Sequence, residues 1–262
     1  MERSTRTLFI GFSALLIAGC AMTPGRDESL IDSSHSATSP VAPYIAPFSA
    51  QHPGANLPGA WRPWVVSGFK RRTQYDLVDY AGRTVVAAQA DMAASGLMHP
   101  VRFDPKQFPI LSWRWKTNVL IDGANNQRAA TEDSPVRIVV AFEGDVLKLK
   151  PMDQLAFRKF KMFTNADLPY ATLMYIWENR APTGMVISNL HTSRIKMIVA
   201  DSGTNQLGDW CERSVNLYED FRNAFGEDPP PVIWIGVMTD TDNTGARIKA
   251  YYGDIRVSAA AR

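Results

Sequence analysis

From Trp61 to Val257 the apolar residues come in short runs, several of them alternating with a period of two, cut apart by Gly, Pro, Asn and Asp. That texture demands many strands and few helices, because a strand buries every second side chain whereas a helix needs three- and four-residue spacing. Seven stretches fit: 83–90, 110–119, 136–142, 172–178, 195–201, 232–240 and 247–257. This many strands in one region of that size implies an all-β domain over residues 60–258, an antiparallel two-sheet sandwich. One short amphipathic helix is expected after Pro151, in MDQLAFRKFKMF, with Met152, Leu155, Phe160 and Phe163 near one face to cap the sandwich.

The N-terminal residues have a different texture. MERSTRTLFIGFSALLIAGC joins Arg3 and Arg6 to an apolar run too short to span a bilayer, which reads as a secretory signal over residues 1–20. Its end, Ile17 to Cys20, is similar to a bacterial lipobox and makes Cys20 the expected lipidation site; a plain signal peptide with a chance cysteine is the alternative. Residues 21–59, rich in Ser, Ala and Pro, are expected to form a flexible tether. By resemblance to lipoprotein sorting rules, Ala21 points to the outer membrane, so the expected location is the cell envelope, facing periplasm or exterior. The remaining cysteine, Cys211, is expected to be a small core residue. A net charge of +2, with cations scattered among acids, argues against a nucleic-acid partner.

Alternation also sorts the candidate site residues by face. In ILSWRWKTNV, Leu111, Trp113, Trp115 and Val119 share one side and Ser112, Arg114 and Lys116 the other, which puts the tryptophans in the core. TLMYIWEN is apolar on both sides and so reads as a central strand, with Trp177 a core residue or a ligand contact and Glu178 at its end. In PVIWIGVMTDTD the set Trp234, Gly236, Met238 and Asp240 is unlike a core and suits a groove floor. If both strands belong to one sheet, Arg114 and Lys116 face Asp240 across that groove, as a binding site or a structural ion pair.

The stretch DTDNTGARIKAYYGDI starts like a calcium-binding helix–loop–helix motif but has Tyr251 where a closing Glu is required. Two readings stay open. Asp240, Asp242 and Asn243 hold calcium in a loop between strands, or Asp, Asn and Gly merely make a hairpin turn. No catalytic residue is assigned: the chain has no GxSxG, HExxH, phosphate loop or CxxC, and its four histidines lie far apart.

The stretches SWRWK, YIW, IVADSG, ERSVNLYEDFRNAFGEDPPPV and MTDTDNTGARIKAYYGDI resemble a family of bacterial secreted proteins, domain of unknown function 3047, over Trp61 to Val257. The resemblance implies a pair of acids before an arginine at the head of the central strand. EDSPVR matches with Glu132 in place of one Asp, followed by Asp133 and Arg137. The C-terminal layout also resembles galactose-binding-like jelly rolls, which implies an acid, here Asp254, near a structural calcium. The expected binding set is therefore Arg114, Lys116, Asp133, Arg137, Trp177, Glu178, Trp234, Asp240, Asp242, Asn243 and Tyr251, with Asp240, Asp242, Asn243 and Asp254 as metal candidates. The function these imply is a lipid-anchored module that binds an envelope or extracellular glycan. A polysaccharide-cleaving enzyme using Glu178, Asp133 and Asp240, or a structural envelope protein, are the alternatives.

Overall fold

The computed structural model describes residues 41–164 and 167–260, so Cys20, the signal segment and residues 21–40 of the tether lie outside the described residues. The strands in chain order are β1 (Arg62–Val65), β2 (Gln74–Tyr80), β3 (Arg83–Asp91), β4 (Ala94–Phe103), β5 (Ile110–Thr117), β6 (Ser134–Phe142) and β7 (Ala171–Glu178). They continue with β8 (Val186–Ser188), β9 (Ile195–Ser202), β10 (Cys211–Asn216), β11 (Val232–Asp240), β12 (Arg247–Tyr252) and β13 (Arg256–Ser258). Two helices interrupt them, α1 (Pro151–Thr164) and α2 (Leu217–Phe225).

These strands form two sheets, as the period-two pattern requires. A seven-stranded sheet runs β1-β4-β11-β6-β7-β9-β8, and a six-stranded sheet runs β10-β5-β12-β3-β2 with β13 also paired to β5. The pairing departs from a purely antiparallel expectation in one place, where β7 and β9 run parallel. Antiparallel β8 closes that edge, reached through the loop 179–185.

The main core lies between the sheets. Val136, Ile138 and Val140 of β6, Tyr175 and Trp177 of β7, and Ile235 and Val237 of β11 meet Leu111, Trp113 and Trp115 of β5 and Val86 and Ala88 of β3. Polar ties cross it where a buried donor needs a partner: Trp115 Nε1 donates to Asp201 at 2.7 Å, and Tyr252 donates to the Met238 carbonyl at 2.6 Å. Trp177 is core, its indole N–H donating to the Gly203 carbonyl, so it is withdrawn as a ligand contact. Cys211 is buried and its thiol is pushed up to about 11, first by burial, as an inert core cysteine should be.

Three further expectations change. Residues 45–48 do not belong to a tether: Ile45 and Ala46 are buried, Phe48 is fully so against Trp61 at 4.6 Å, and the Ser49 hydroxyl donates to Asp254. Their few apolar side chains plug the existing core rather than build one of their own, so they carry no period to read. The turn after Asp240 is no hairpin, because β11 and β12 belong to different sheets and residues 241–246 carry the chain between them. Lastly, α1 buries Asp153 and Phe157, while Met152 and Leu155 stay exposed.

Candidate functional site

The outer face of the seven-stranded sheet carries a second, smaller apolar cluster, in which Met174, Ile176, Met197 and Met238 surround the head of β6. Residues that alternate away from the main core supply it, so Arg137 on β6 and Asp240 on β11 also point to this side. Arg137 is almost fully buried. Its Nε donates to Asp240 Oδ1 at 2.8 Å, and its Nη2 to Asp240 Oδ2 at 3.0 Å and to Asn126 Oδ1 at 3.1 Å. The other guanidinium nitrogen lies 3.2 Å from Met197 Sδ. Burial pushes the Asp240 carboxyl up to about 6, against the pull of Arg137, while Asp240 and the neighbouring acids hold Arg137 above its usual range despite its burial.

Above this pair the chain leaves a groove of about 550 Å³. Its floor includes Met174, Met238, Arg137 and Asp240, one wall is Trp64 and Val66, and the opposite wall is α1 through Met152, Leu155, Ala156, Lys159 and Phe160. The apolar stripe expected on α1 thus opens largely onto the groove instead of sealing the core. Asp153 holds the helix there, accepting from Thr192 Oγ1 at 2.7 Å and from Ser193 N at 2.8 Å and Oγ at 2.7 Å. Glycines set the aromatic wall. A Cβ on Gly96 would meet the Trp64 ring at 2.9 Å, and one on Gly236 would meet the Leu97 carbonyl at 2.5 Å, so Trp64 lies against bare backbone. Trp234 packs on Trp64 at 5.1 Å and supports that wall from behind.

Acids from EDSPVR and DTDNTG gather at one end of the groove. Asp133 accepts from the backbone N–H groups of Asn243 and Thr244 at 3.2 and 2.7 Å and from Thr244 Oγ1 at 2.6 Å, pinning the 241–246 loop. Lys70 sits 2.6 Å from Asp242 Oδ2, and Glu132 accepts from Asn189 Nδ2 at 3.3 Å. Asp133, Asp240 and Asp242 each offer an oxygen within 4.8 Å of one another. Arg137 pairs with Asp240, Lys70 with Asp242 and loop N–H groups with Asp133, while Asp242 Oδ1 is buried without a partner among the described residues. The four expected ligands cannot form one site, since Asp254 lies in the link between β12 and β13 of the six-stranded sheet, where Ser49 and Arg83 hold it.

The shared side proposed for Arg114, Lys116 and Asp240 is overturned. Arg114 and Lys116 project from β5 on the outer face of the six-stranded sheet, and the main core separates them from Asp240. The premise that failed was a common sheet; the phase was right for Leu111, Trp113 and Trp115, whereas Val119, expected on the same side, lies past the end of β5 and is exposed. Tyr251 lies on that far side too, against Tyr80 at 4.9 Å. Glu178 is buried and accepts from the backbone N–H groups of Asn126, Arg180 and Ala181, so it shapes a loop below the groove. Sequence reasoning missed Trp64, Asn189 and His191 among the groove's lining; RPWV is too short to stand out as a strand, and 186–194 has little period.

Fold and site together define a β-sandwich domain with an open groove on the outer face of one sheet. The chain belongs to the family described as "Protein of unknown function (DUF3047)", whose model matches residues 59–256. No curated protein matches it. Among solved structures it is similar to SGBP-B from a complex xyloglucan utilization locus in Bacteroides uniformis, at 9% identity and a TM-score of 0.32, over 74% of this chain and 46% of that one. A second is the xyloglucanase domain of NopAA, a type three effector from Sinorhizobium fredii, in complex with cellobiose, at 8% identity and a TM-score of 0.39, over 76% and 93% of the two chains. This chain therefore spans less than half of the first structure. Likenesses this loose carry no argument about its ligand.

Proposed function

We propose that the domain is a binding module whose ligand is a saccharide seated in the groove between Trp64 and α1. The observation that carries this reading is the lining itself. Trp64, Met174, Met238 and Leu155 offer apolar surface for the faces of sugar rings, while Asn189, Glu132 and Lys70 border it with groups able to bond hydroxyls. The three acids that motivated an enzymatic reading, Glu178, Asp133 and Asp240, are each committed to N–H or guanidinium donors. A binding role asks less of them. In this proposal lipidation of Cys20 moors the module to the outer membrane of the cell envelope and raises its effective concentration near envelope polymer.

The test is titration of the full chain, carrying Cys20→Ser to keep it unlipidated, against neutral oligosaccharides and peptidoglycan fragments. Saturable binding that weakens about tenfold or more in Trp64→Ala supports the reading, as expected for loss of an aromatic wall. A folded protein that binds no member of the panel, or that binds equally well without Trp64, ends it.

A further inference from the structure

On the opposite side of the molecule, the outer face of the six-stranded sheet carries a group of unspent cations. Arg114 lies over Trp210, with its guanidinium carbon 4.5 Å from the ring centre. Gly253 makes this posture possible: its N–H donates to the Arg114 carbonyl at 2.9 Å, and a Cβ there would come within 2.5 Å of Arg114 Cγ. Among the described residues the guanidinium makes no hydrogen bond and no ion pair, and its Nε is buried without a partner. A buried guanidinium nitrogen without a partner is unusual beside a cavity.

The cavity is there. Arg83, Ser112, Arg114, Glu212, Ser214 and Arg256 line a hollow of about 330 Å³. Asp254 and Arg213 line it too; Arg83 pairs with Asp254 at 3.0 Å and Arg213 with Asp201, while Arg256 and Glu212 form no ion pair among the described residues. The Ser112 and Ser214 hydroxyls lie 3.0 Å apart on adjacent strands, at the same level of the sheet as Arg256. Arg114 is held below its usual range, first by burial and next by Arg83, with Asp254 and Glu212 acting the other way and Arg256 adding to the repulsion. A ligand anion would relieve that crowding.

Beside the hollow runs a strip of half-buried aromatic rings. Trp210 meets Tyr80 edge-on at 5.5 Å and Tyr80 meets Tyr251 at 4.9 Å, with Lys116 over Tyr80 and Lys249 over Tyr251. Rings beside an idle guanidinium suit a ligand that has both a flat apolar face and a negative group. The cations are few, and Glu212 stands among them, so the face offers one anion seat and no continuous track for a phosphate backbone. From this juxtaposition we infer that the outer face of the six-stranded sheet is a second binding site, for an acidic saccharide whose carboxylate or sulfate docks on Arg114 and Arg256 while its ring lies on the Trp210–Tyr80–Tyr251 strip. It stands independently of the groove.

The experiment measures retention of the full chain, carrying Cys20→Ser, by polygalacturonate and by a sulfated polysaccharide, with neutral dextran, an oligonucleotide, and phosphatidylglycerol and phosphatidylcholine vesicles as comparisons. Expected is retention by at least one acidic polysaccharide and none by dextran through this face, weakened about tenfold or more in Arg114→Gln, as for one lost charge-assisted contact. Arg256→Ala, at an exposed position, weakens it without touching the Trp210 stack and guards against misfolding of the first variant. Absence of acidic-polysaccharide binding, full binding by both arginine variants, or preference for oligonucleotide or anionic vesicles over the polysaccharides overturns the inference.

Discussion

At the scale of single residues the most exposed trade-off is the Arg137–Asp240 pair. A buried pair of this kind costs desolvation on both sides, and the bidentate geometry with Asn126 and Ser134 offsets it. Asp240 is raised to about 6 from an unfolded value near 3.8, so the folded state holds its proton more tightly than the unfolded one. The sign follows from linkage: between about pH 4 and pH 6 the native state binds more protons, so this residue's contribution to stability falls as pH rises, by about 3 kcal/mol across the interval. Urea unfolding at pH 4, 5, 6 and 7 should therefore show a downward contribution that Asp240→Asn abolishes. Equal pH dependence in the two proteins would contradict it. Arg137→Met removes the opposing cation and should drive the Asp240 carboxyl still higher, which carbon NMR of the side chain reads directly; at neutral pH it should cost roughly 3 kcal/mol or more.

At the scale of elements, α1 shows how a helix can be tied down by polar bonds while its apolar stripe stays available. Thr192 and Ser193 hold the Asp153 carboxyl below the ordinary range despite burial, which acts the other way. That contribution is present above its unfolded value and lost as pH falls through the folded one. Asp153→Ala should cost about 1–3 kcal/mol at neutral pH and speed amide exchange across 151–164, with the strands unaffected. Exchange that speeds uniformly over the domain would refute a local anchor. The helix was legible from its 3.6-residue period, but the side it buries was not, because amphipathic spacing cannot distinguish a stripe facing a core from one facing a groove. The second helix went unread although its punctuation is complete: Asn216 accepts from Glu219 N, and Gly226 closes it at φ 73°. The faces of β5 and β11 were legible because polar and apolar residues alternate there, and β7 was legible as central because it is apolar on both sides. Which sheet each strand joins was not, because pairing depends on residues far away in sequence, and so the groove's true opposite wall stayed hidden.

At the scale of the whole molecule, the sandwich presents two outer faces to solvent with the main core between, and its integrity depends on a strap that precedes the first strand. Family matching begins at residue 59 and the change in sequence texture at Trp61, yet Phe48 is as buried as any residue in the core. Ala46 ties the strap in place, its N–H donating to His99 Nε2 at 3.1 Å and its carbonyl accepting from Trp61 Nε1 at 2.8 Å. Ser49 donates its N–H and hydroxyl to the buried Asp254 at 3.0 and 2.6 Å. A chain beginning at Ala60 would leave the cavity of Phe48 and Ile45 open and remove two of the donors to that carboxylate. Emptying a site of one large core side chain alone costs about 3–5 kcal/mol, and the total stability of a domain is typically about 5–15 kcal/mol. Residues 60–260 should therefore unfold at a much lower urea concentration than residues 41–260, or fail to fold. Phe48→Ala in the longer chain should reproduce a large share of the loss, and equal midpoints for the two lengths would show that the strap is no part of the fold. Because the strap meets Asp254, which also holds Arg83 beside the arginine-lined hollow, its removal should weaken acidic-saccharide retention before it affects the groove on the opposite sheet.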